Sequence, residues 1–174
     1  LVAVRRGDID RLAEAIRRDH PAGDAAPPEP WDAPPAVKII DCVLSLNRNY
    51  QRHVVPRVAA FQGRHPETRS CADLLAAVAS AGHAGFARES LGLNDPGRAA
   101  TIEGVAEHLA EAQQSFEGGS EAERLLAWAE WARPGDAYAL EVRGFGVAGF
   151  QYLRMLVGAD TVKPDVHIRR YVEG

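Results

Sequence analysis

The amino-acid sequence predicts an all-α fold. Several stretches carry apolar residues at i, i+3 and i+4, which is the spacing of a helix with one buried face. Alternation of apolar and polar residues, the mark of a half-buried strand, is absent, and Gly, Pro, Asn and Ser separate the periodic stretches. With 174 residues, 46% of them hydrophobic, the chain can bury one substantial core or two small lobes.

The first 35 residues are predicted to stand apart from the rest. Ile9, Leu12 and Ile16 recur at helical spacing behind Asp8, a residue suited to an N-cap, so residues 8–18 should form a short amphipathic helix. Residues 21–36 then hold six of the eleven prolines, a density that excludes a helix or a central strand. We therefore divide the chain into residues 1–35 and a main domain, residues 36–174.

The main domain begins with a segment that is apolar nearly all round, from Ala36 to Leu46. Its length favours a buried helix, with a buried strand as the alternative. Residues 50–62 should form a helix that is kinked or begins near Pro56. Three further helices are expected at residues 71–80, 95–113 and 120–133.

The last third of the chain carries a glycine-rich turn between two predicted helices. Residues 137–142 and 147–157 are helical in pattern, and Gly144, Gly146 and Gly149 occupy the turn and the start of the second helix. Such a turn exposes backbone N–H groups at a helix N-terminus, where a phosphate can bind. Tight helix packing is the alternative use of these glycines.

A carboxylate follows this turn at a defined distance. Pro164 requires an extended segment before it, and Asp165 then stands at the N-cap of a final helix. On local sequence alone, Asp165 is either a capping residue or a functional carboxylate. His167 follows it and is more typical of a packed or helix-face histidine.

These two segments together resemble the helix-hairpin-helix DNA glycosylases. Gly144-Phe145-Gly146 is similar to the Leu-Pro-Gly-Val-Gly-type hairpin of that family, and Lys163-Pro-Asp165-Val-His167 to its Val-Asp-Thr-His-type segment. Residues 37–61 are similar to its early helix pair, whose loop enters the DNA. The resemblance implies a helical bundle with two lobes, a central cleft and the hairpin at one rim, and a catalytic role for Asp165.

Departures from the family pattern indicate the subclass. Family members with lyase activity carry a lysine at the start of the second hairpin helix, and Ala148 occupies that position here. The two lysines of the chain, Lys38 and Lys163, lie elsewhere, and the side chain of Lys163 should point away from the site. No cysteine quartet for an iron–sulfur cluster is seen. The resemblance thus implies a monofunctional glycosylase that hydrolyses the N-glycosidic bond of a damaged or mismatched, flipped-out base.

The resemblance also implies which residues contact DNA. Phe145 is expected to be a hydrophobic pin rather than a base-stacking group. Trp128 and Trp131 are expected to belong to the core. The predicted DNA-binding residues are Arg143, Gly144, Gly146, Val147, Ala148, Gly149 and Arg154, and the predicted base-pocket or gap-filling residues are Asn47, Arg48, Tyr50 and Tyr152.

Charge and composition limit the partners. The net charge is −4, but residues 142–174 carry five basic and three acidic side chains, whereas the first 141 residues carry 15 and 21. This asymmetry would orient a polyanion toward the hairpin end. The expected partner is double-stranded DNA with a damaged base, without an obligate protein partner.

No metal site or cofactor is predicted, although the hairpin backbone could take a monovalent cation. We expect a cytoplasmic protein. The two cysteines occur singly, the sequence shows no secretion signal, and it has no apolar run of the roughly 20 residues that span a bilayer. Two alternatives stay open. One is a non-catalytic helix-hairpin-helix DNA-binding protein, favoured by Arg143 in place of the usual proline; the other is a helical scaffold or nucleotide-handling protein whose hairpin is coincidental.

Overall fold

The structure is a computed structural model that describes residues 31–161, together with Glu14 and Arg18. Within that part of the chain the fold is all-helical and contains no β-strand, so the predicted fold class is confirmed at this level. The helices belong to one compact unit, Pro30–Asp165. Lys163, Asp165, His167 and the predicted final helix lie outside the described residues, as do residues 21–30 and most of the predicted helix 8–18.

Six α-helices follow one another along the described segment. Short π-helical turns lie at Tyr50–Val54 and Phe86–Ser90, and 3₁₀ turns at Gln113–Ser115 and Pro134–Tyr138. The helices are α1 (Pro35–Ser45), α2 (Val55–Arg64), α3 (Cys71–Gly85), α4 (Pro96–Ala112), α5 (Glu121–Trp131) and α6 (Val147–Val157).

Helix α1 is the centre of this unit. Nine of its eleven residues are buried, and it packs against α2, α3, α4 and α6. An amphipathic helix would leave one face in water, so the nearly continuous apolar run is explained by neighbours on several sides. The prediction of a buried helix rather than a strand is confirmed.

Local capping signals set where most helices begin. Ser70 with Asp73 and Ser120 with Glu123 form reciprocal capping boxes at the starts of α3 and α5. Asp95 accepts the backbone N–H of Arg98 at the start of α4. Helix α2 carries Pro56 in its first turn, so the prediction that this helix begins near Pro56 is confirmed.

The prediction that residues 137–142 form the first helix of the hairpin is wrong. Residues 137–142 contain the end of the 3₁₀ helix, a turn at residues 139–140 and irregular backbone, not an α-helix. Glu141 has φ +52°, which interrupts a right-handed helix. Val142 packs on α4, where its Cγ2 lies 3.1 Å from the position that a Cβ on Gly104 would occupy. Docking on α4 has therefore replaced helix propagation.

The contact between α1 and α6 is unusually close at Gly149. A Cβ on Gly149 would lie 3.0 Å from Cδ2 of Leu46 and 3.0 Å from Cε2 of Phe145. The Sγ of Cys42 also donates a hydrogen bond to the carbonyl of Gly149, at 3.3 Å. Phe145 is buried, which confirms that it is a packing residue. Because Gly149 has no side chain, Leu46 and Phe145 can pack directly against the backbone of α6.

We predict that Gly149→Ala destabilises the protein. The added methyl group collides with the buried Phe145 ring, and overpacking of this kind costs about 1–3 kcal/mol, more than the roughly 0.5–1 kcal/mol that alanine gains over glycine in a helix. Gly63→Ala is the matched control, because Gly63 is exposed in α2 and its Cβ would meet no atom within 4 Å. Urea unfolding should show the first variant below the wild type and the second at or above it; equal stabilisation by both would contradict the packing argument.

Candidate nucleic-acid interface

The glycine turn leads into an α6 N-terminus that no side chain caps. Gly144 has φ +81°, a conformation that favours glycine, and Gly146 is the N-cap of α6 without a side-chain cap bond. The first helical amides have no partner inside a helix. Val147 and Ala148 are half-buried and Gly146 is exposed, so this end of α6 faces outward.

Two of the predicted DNA-binding residues are buried. Arg154 is 6% exposed; its Nε donates to the carbonyl of Ala129 at 2.7 Å and its guanidinium NH1 to Oε1 of Gln151 at 2.7 Å. Burial, and then the nearby Arg133, lower its pKa. Gly149 lies in the α1 contact described above.

The prediction that Arg154 binds phosphate is therefore wrong for this structure. Arg154 lies seven residues after Val147, on the side of α6 that packs against α5, and its hydrogen bond to the carbonyl of Ala129 joins those two helices. The sequence pattern did not distinguish this buried arginine from a surface one.

Arg143, in contrast, is exposed beside the turn. Its carbonyl accepts a hydrogen bond from Oγ1 of Thr101 at 3.1 Å, which fastens the turn to α4. The side chain carries a positive charge next to the α6 N-terminus, where an anion is favoured.

The α1–α2 loop is held by an arginine that sequence reasoning missed. Arg98 donates hydrogen bonds from its guanidinium to the carbonyls of Val43 and Leu46, the latter at 2.8 Å. It thus satisfies carbonyls at the C-terminus of α1. Asn47, with φ +56°, and Arg48 follow in exposed positions.

One open groove joins the loop to the turn. It has a volume of about 880 Å³ and lies between the C-terminal end of α1, helix α4 and residues 139–144. Asn47, Arg98, Arg143 and Gly144 line it together, although about 100 residues separate the loop from the turn. Four carboxylates, those of Asp95, Glu107, Glu111 and Glu141, also line it and outnumber its two arginines, Arg98 and Arg143.

Tyr50 and Tyr152 meet at one buried carboxylate. Asp41, 1% exposed, accepts hydrogen bonds from the hydroxyl of Tyr50 at 2.8 Å and from that of Tyr152 at 2.9 Å. Burial and then Asp41 raise the pKa of both tyrosines. Tyr152 is half-buried, whereas Tyr50 is 40% exposed. The network joins α1, the π turn and α6.

Sequence reasoning missed Asp41. The sequence did contain a signal for it: a carboxylate in the middle of a helix that is otherwise apolar over its central turns. A buried carboxylate requires hydrogen-bond partners, so such a position indicates a polar network. Trp128 is buried, as predicted, but the prediction of a core position for Trp131 is wrong, because 64% of Trp131 is exposed.

The described residues contain no group of three or more His, Cys, Asp or Glu side chains that could hold a metal ion. Over the same part of the chain, none of the helices has the length and apolar character needed to cross a membrane.

We predict that Tyr152→Phe lowers the free energy of unfolding by about 1.5–3 kcal/mol near neutral pH, since a hydrogen bond to a buried carboxylate is lost. Tyr50→Phe is the control and should cost less, because water reaches its more exposed position. The pKa of Tyr152 is higher in the folded chain than the ordinary value of 10.0, so its contribution is present below pH 10 and lost as the pH rises further. Urea unfolding at pH 7 and above pH 10 should show the difference between wild type and Tyr152→Phe shrinking; a difference that grows with pH would contradict the assignment.

Comparison with known proteins gives a family but no function. No curated protein and no solved structure matches the chain at a significant level. Residues 10–174 match the family described as a domain of unknown function, DUF8548, and the chain therefore belongs to that family.

Proposed function

We propose that this protein is a monofunctional DNA glycosylase, which binds duplex DNA and hydrolyses the N-glycosidic bond of a damaged or mismatched base. In this proposal the helices form a two-lobed bundle with a central cleft, similar to the helix-hairpin-helix glycosylases. One observation carries the proposal: Asn47 of the α1–α2 loop and the Arg143–Gly144 turn line the same groove. These are the two elements that the family resemblance assigns to the DNA.

The first turn of α6 would bind the DNA backbone. The amides of Val147 and Ala148 lie in its first turn behind an exposed Gly146, and Arg143 adds a charge beside them. Amides and a guanidinium can hold a phosphate without reading sequence. Arg154 is buried and is therefore not part of this proposed contact with the DNA backbone. No α-helix directly precedes the turn to add further amides.

A base turned out of the duplex needs a flat surface to stack on. The Tyr50 ring offers one, because its hydroxyl is fixed on Asp41 while 40% of the residue remains exposed. Asn47 is exposed nearby in the chain and is suited to fill the gap that the base leaves. Fixing the ring in advance lowers the ordering cost of binding.

Bond cleavage is assigned to Asp165. Loss of the base builds positive charge on the sugar, which an ionised carboxylate stabilises while it orients or deprotonates water. The residue at the lysine position of lyase-active relatives is Ala148, which has no amine to attack the sugar. The product is then an intact strand with an abasic site.

A second candidate is a DNA-binding protein without catalysis. The observation that favours it is the loss of one hairpin helix together with the burial of Arg154. Both candidates predict binding to duplex DNA, and only the first predicts base release.

The binding surface is tested by Gly146→Val. Gly146 has φ −99° and its Cβ would meet no atom within 4 Å, so valine fits the fold while it blocks approach of a phosphate to the amides. We expect roughly a tenfold loss of affinity, about 1.4 kcal/mol, for every duplex sequence in a fluorescence anisotropy titration with an abasic-site analogue. Gly135→Val is the control, since Gly135 is equally exposed and unobstructed. Equal affinity of the Gly146 variant and the wild type would remove the α6 N-terminus from the interface.

Catalysis is tested by Asp165→Asn. Asparagine still caps a helix but lacks the charge, so duplex binding should persist while base release, measured by alkali-developed strand cleavage over a panel of deaminated, alkylated and oxidised bases, falls on the order of a hundredfold or more. Borohydride should trap little covalent adduct. Full excision by the variant would leave Asp165 as a cap only, and a strong adduct that disappears in Lys163→Ala would establish a lyase instead.

A further inference from the structure

The segment after α1 is basic in a chain whose net charge is negative. From residue 42 to residue 66 there is no Asp or Glu, while the same stretch carries four arginines, Arg48, Arg52, Arg57 and Arg64. The whole chain has a net charge of −4. This run of 25 residues therefore carries four positive charges and no carboxylate of its own.

Three of these arginines follow one another through the π turn into α2. Arg48 and Arg52 are exposed, and within the described part of the chain their guanidinium groups have no hydrogen bond or ion pair. Arg57 donates from NH1 to the carbonyl of His53 at 3.0 Å, and its Nε is buried without a partner. We call Arg48, Arg52 and Arg57 the α2 basic surface.

Among the described residues, no carboxylate forms an ion pair with Arg48, Arg52 or Arg57. Burial, and then Arg57, Arg48 and Arg98 in turn, lower the pKa of His53, and the Nε2 of His53 is buried without a hydrogen-bond partner. Asp95, the carboxylate closest to Arg98 in the chain, already pairs with it at 3.6 Å. An anion bound here would relieve the repulsion among these positive groups.

We propose that the α2 basic surface binds phosphates of duplex DNA, as a second contact area beside the start of α6. This inference rests on the proposed DNA binding but not on base excision. The surface begins directly after Asn47, which lines the groove. DNA lying across Arg143 would therefore meet Arg48 first.

The spacing of the charges favours a backbone over a single anion. Arg48 precedes the π turn, Arg52 lies within it and Arg57 lies in the first turn of α2, so the three charges come from successive parts of the backbone. Duplex DNA carries about one charge per 1.7 Å of its axis, and its successive phosphates can pair with several such groups at once. The surface therefore fits a regular polyanion better than a nucleotide or a free phosphate ion.

The backbone under the surface is fixed in advance. The side chain of Asn49 accepts the N–H of Arg52 at 2.9 Å, which caps the π turn, and Arg98 holds the carbonyls just before Arg48. Phosphate binding at Arg48 and Arg52 would then order side chains without rearranging the main chain.

The test is the double variant Arg48→Gln/Arg52→Gln against the control Arg69→Gln/Arg88→Gln. Both remove two charges from exposed residues, but Arg69 and Arg88 lie outside the α2 basic surface. Anisotropy titrations with a labelled undamaged duplex, repeated from about 50 to 200 mM salt, should show at least a tenfold loss for the first variant. The salt-dependence slope should fall by about 2, since each neutralised phosphate contributes about 0.9. Inorganic phosphate at matched ionic strength should not compete.

Several results would overturn the inference while leaving the proposed function standing. Equal losses in the two double variants would mean a general charge effect, and strong competition by inorganic phosphate would mean a single-anion site. Stronger binding to anionic phosphatidylserine vesicles than to duplex would replace DNA with a membrane surface.

If the wild-type protein bound no duplex at all, the inference and the proposed function would both fail. Binding that depends on Arg48 and Arg52 without base release would support the inference and refute only the glycosylase. Thermal unfolding of each variant checks that the fold is retained.

Discussion

The close approach of α6 to α1 sets the positions of Leu46, Tyr152 and the Arg143–Gly146 turn relative to one another. Gly149 has no Cβ, so Leu46 and Phe145 pack directly on the backbone of α6. This contact brings the C-terminal end of α1 next to the Arg143–Gly146 turn, although the two are distant in sequence. Because protein interiors are close-packed, even one additional methyl group at Gly149 would change the separation of the two helices. The geometry of the groove thus depends on a residue that does not itself reach the surface.

A second connection between the same helices is polar. Asp41 on α1 receives the hydroxyls of Tyr50 and Tyr152, so a buried carboxylate joins α6 to the start of the α2 region. A buried charge is expensive unless it is well hydrogen-bonded, and the two hydroxyls meet part of that requirement. Apolar contact sets how near the helices lie, and the hydrogen bonds select one rotational setting of α6 on α1.

Local sequence signals predicted most of the fold but not the tertiary roles of single residues. Some signals involve only residues that are close in the chain. These are the capping boxes at Ser70 and Ser120 and the proline at position 56, and the helices begin where they lie. The helix predicted at residues 137–142 failed because docking of Val142 on Gly104 outweighed its local helical pattern.

The same limit applies to the candidate site. Arg154 looked like a surface cation because its partner, the carbonyl of Ala129, belongs to another helix. Asp41 was overlooked because its two tyrosine partners lie 9 and 111 residues away. Asn47 and Arg143 could be chosen from the family resemblance, but their meeting at one groove depends on the α1–α6 contact. Sequence patterns report on neighbours in the chain, and these roles are decided by neighbours in space.

The turn at residues 143–146 is held on both sides by rigid elements. Thr101 on α4 fixes the carbonyl of Arg143, and the buried Phe145 ring anchors the other side under α6. A phosphate bound there, as the proposed function requires, would meet amides already in place, and little conformational entropy would be lost on binding. The α2 basic surface differs, since its exposed arginines are long side chains on a fixed backbone. In the proposed function, these arginines would attract the DNA through long-range charge, and the preorganised turn would then set its register.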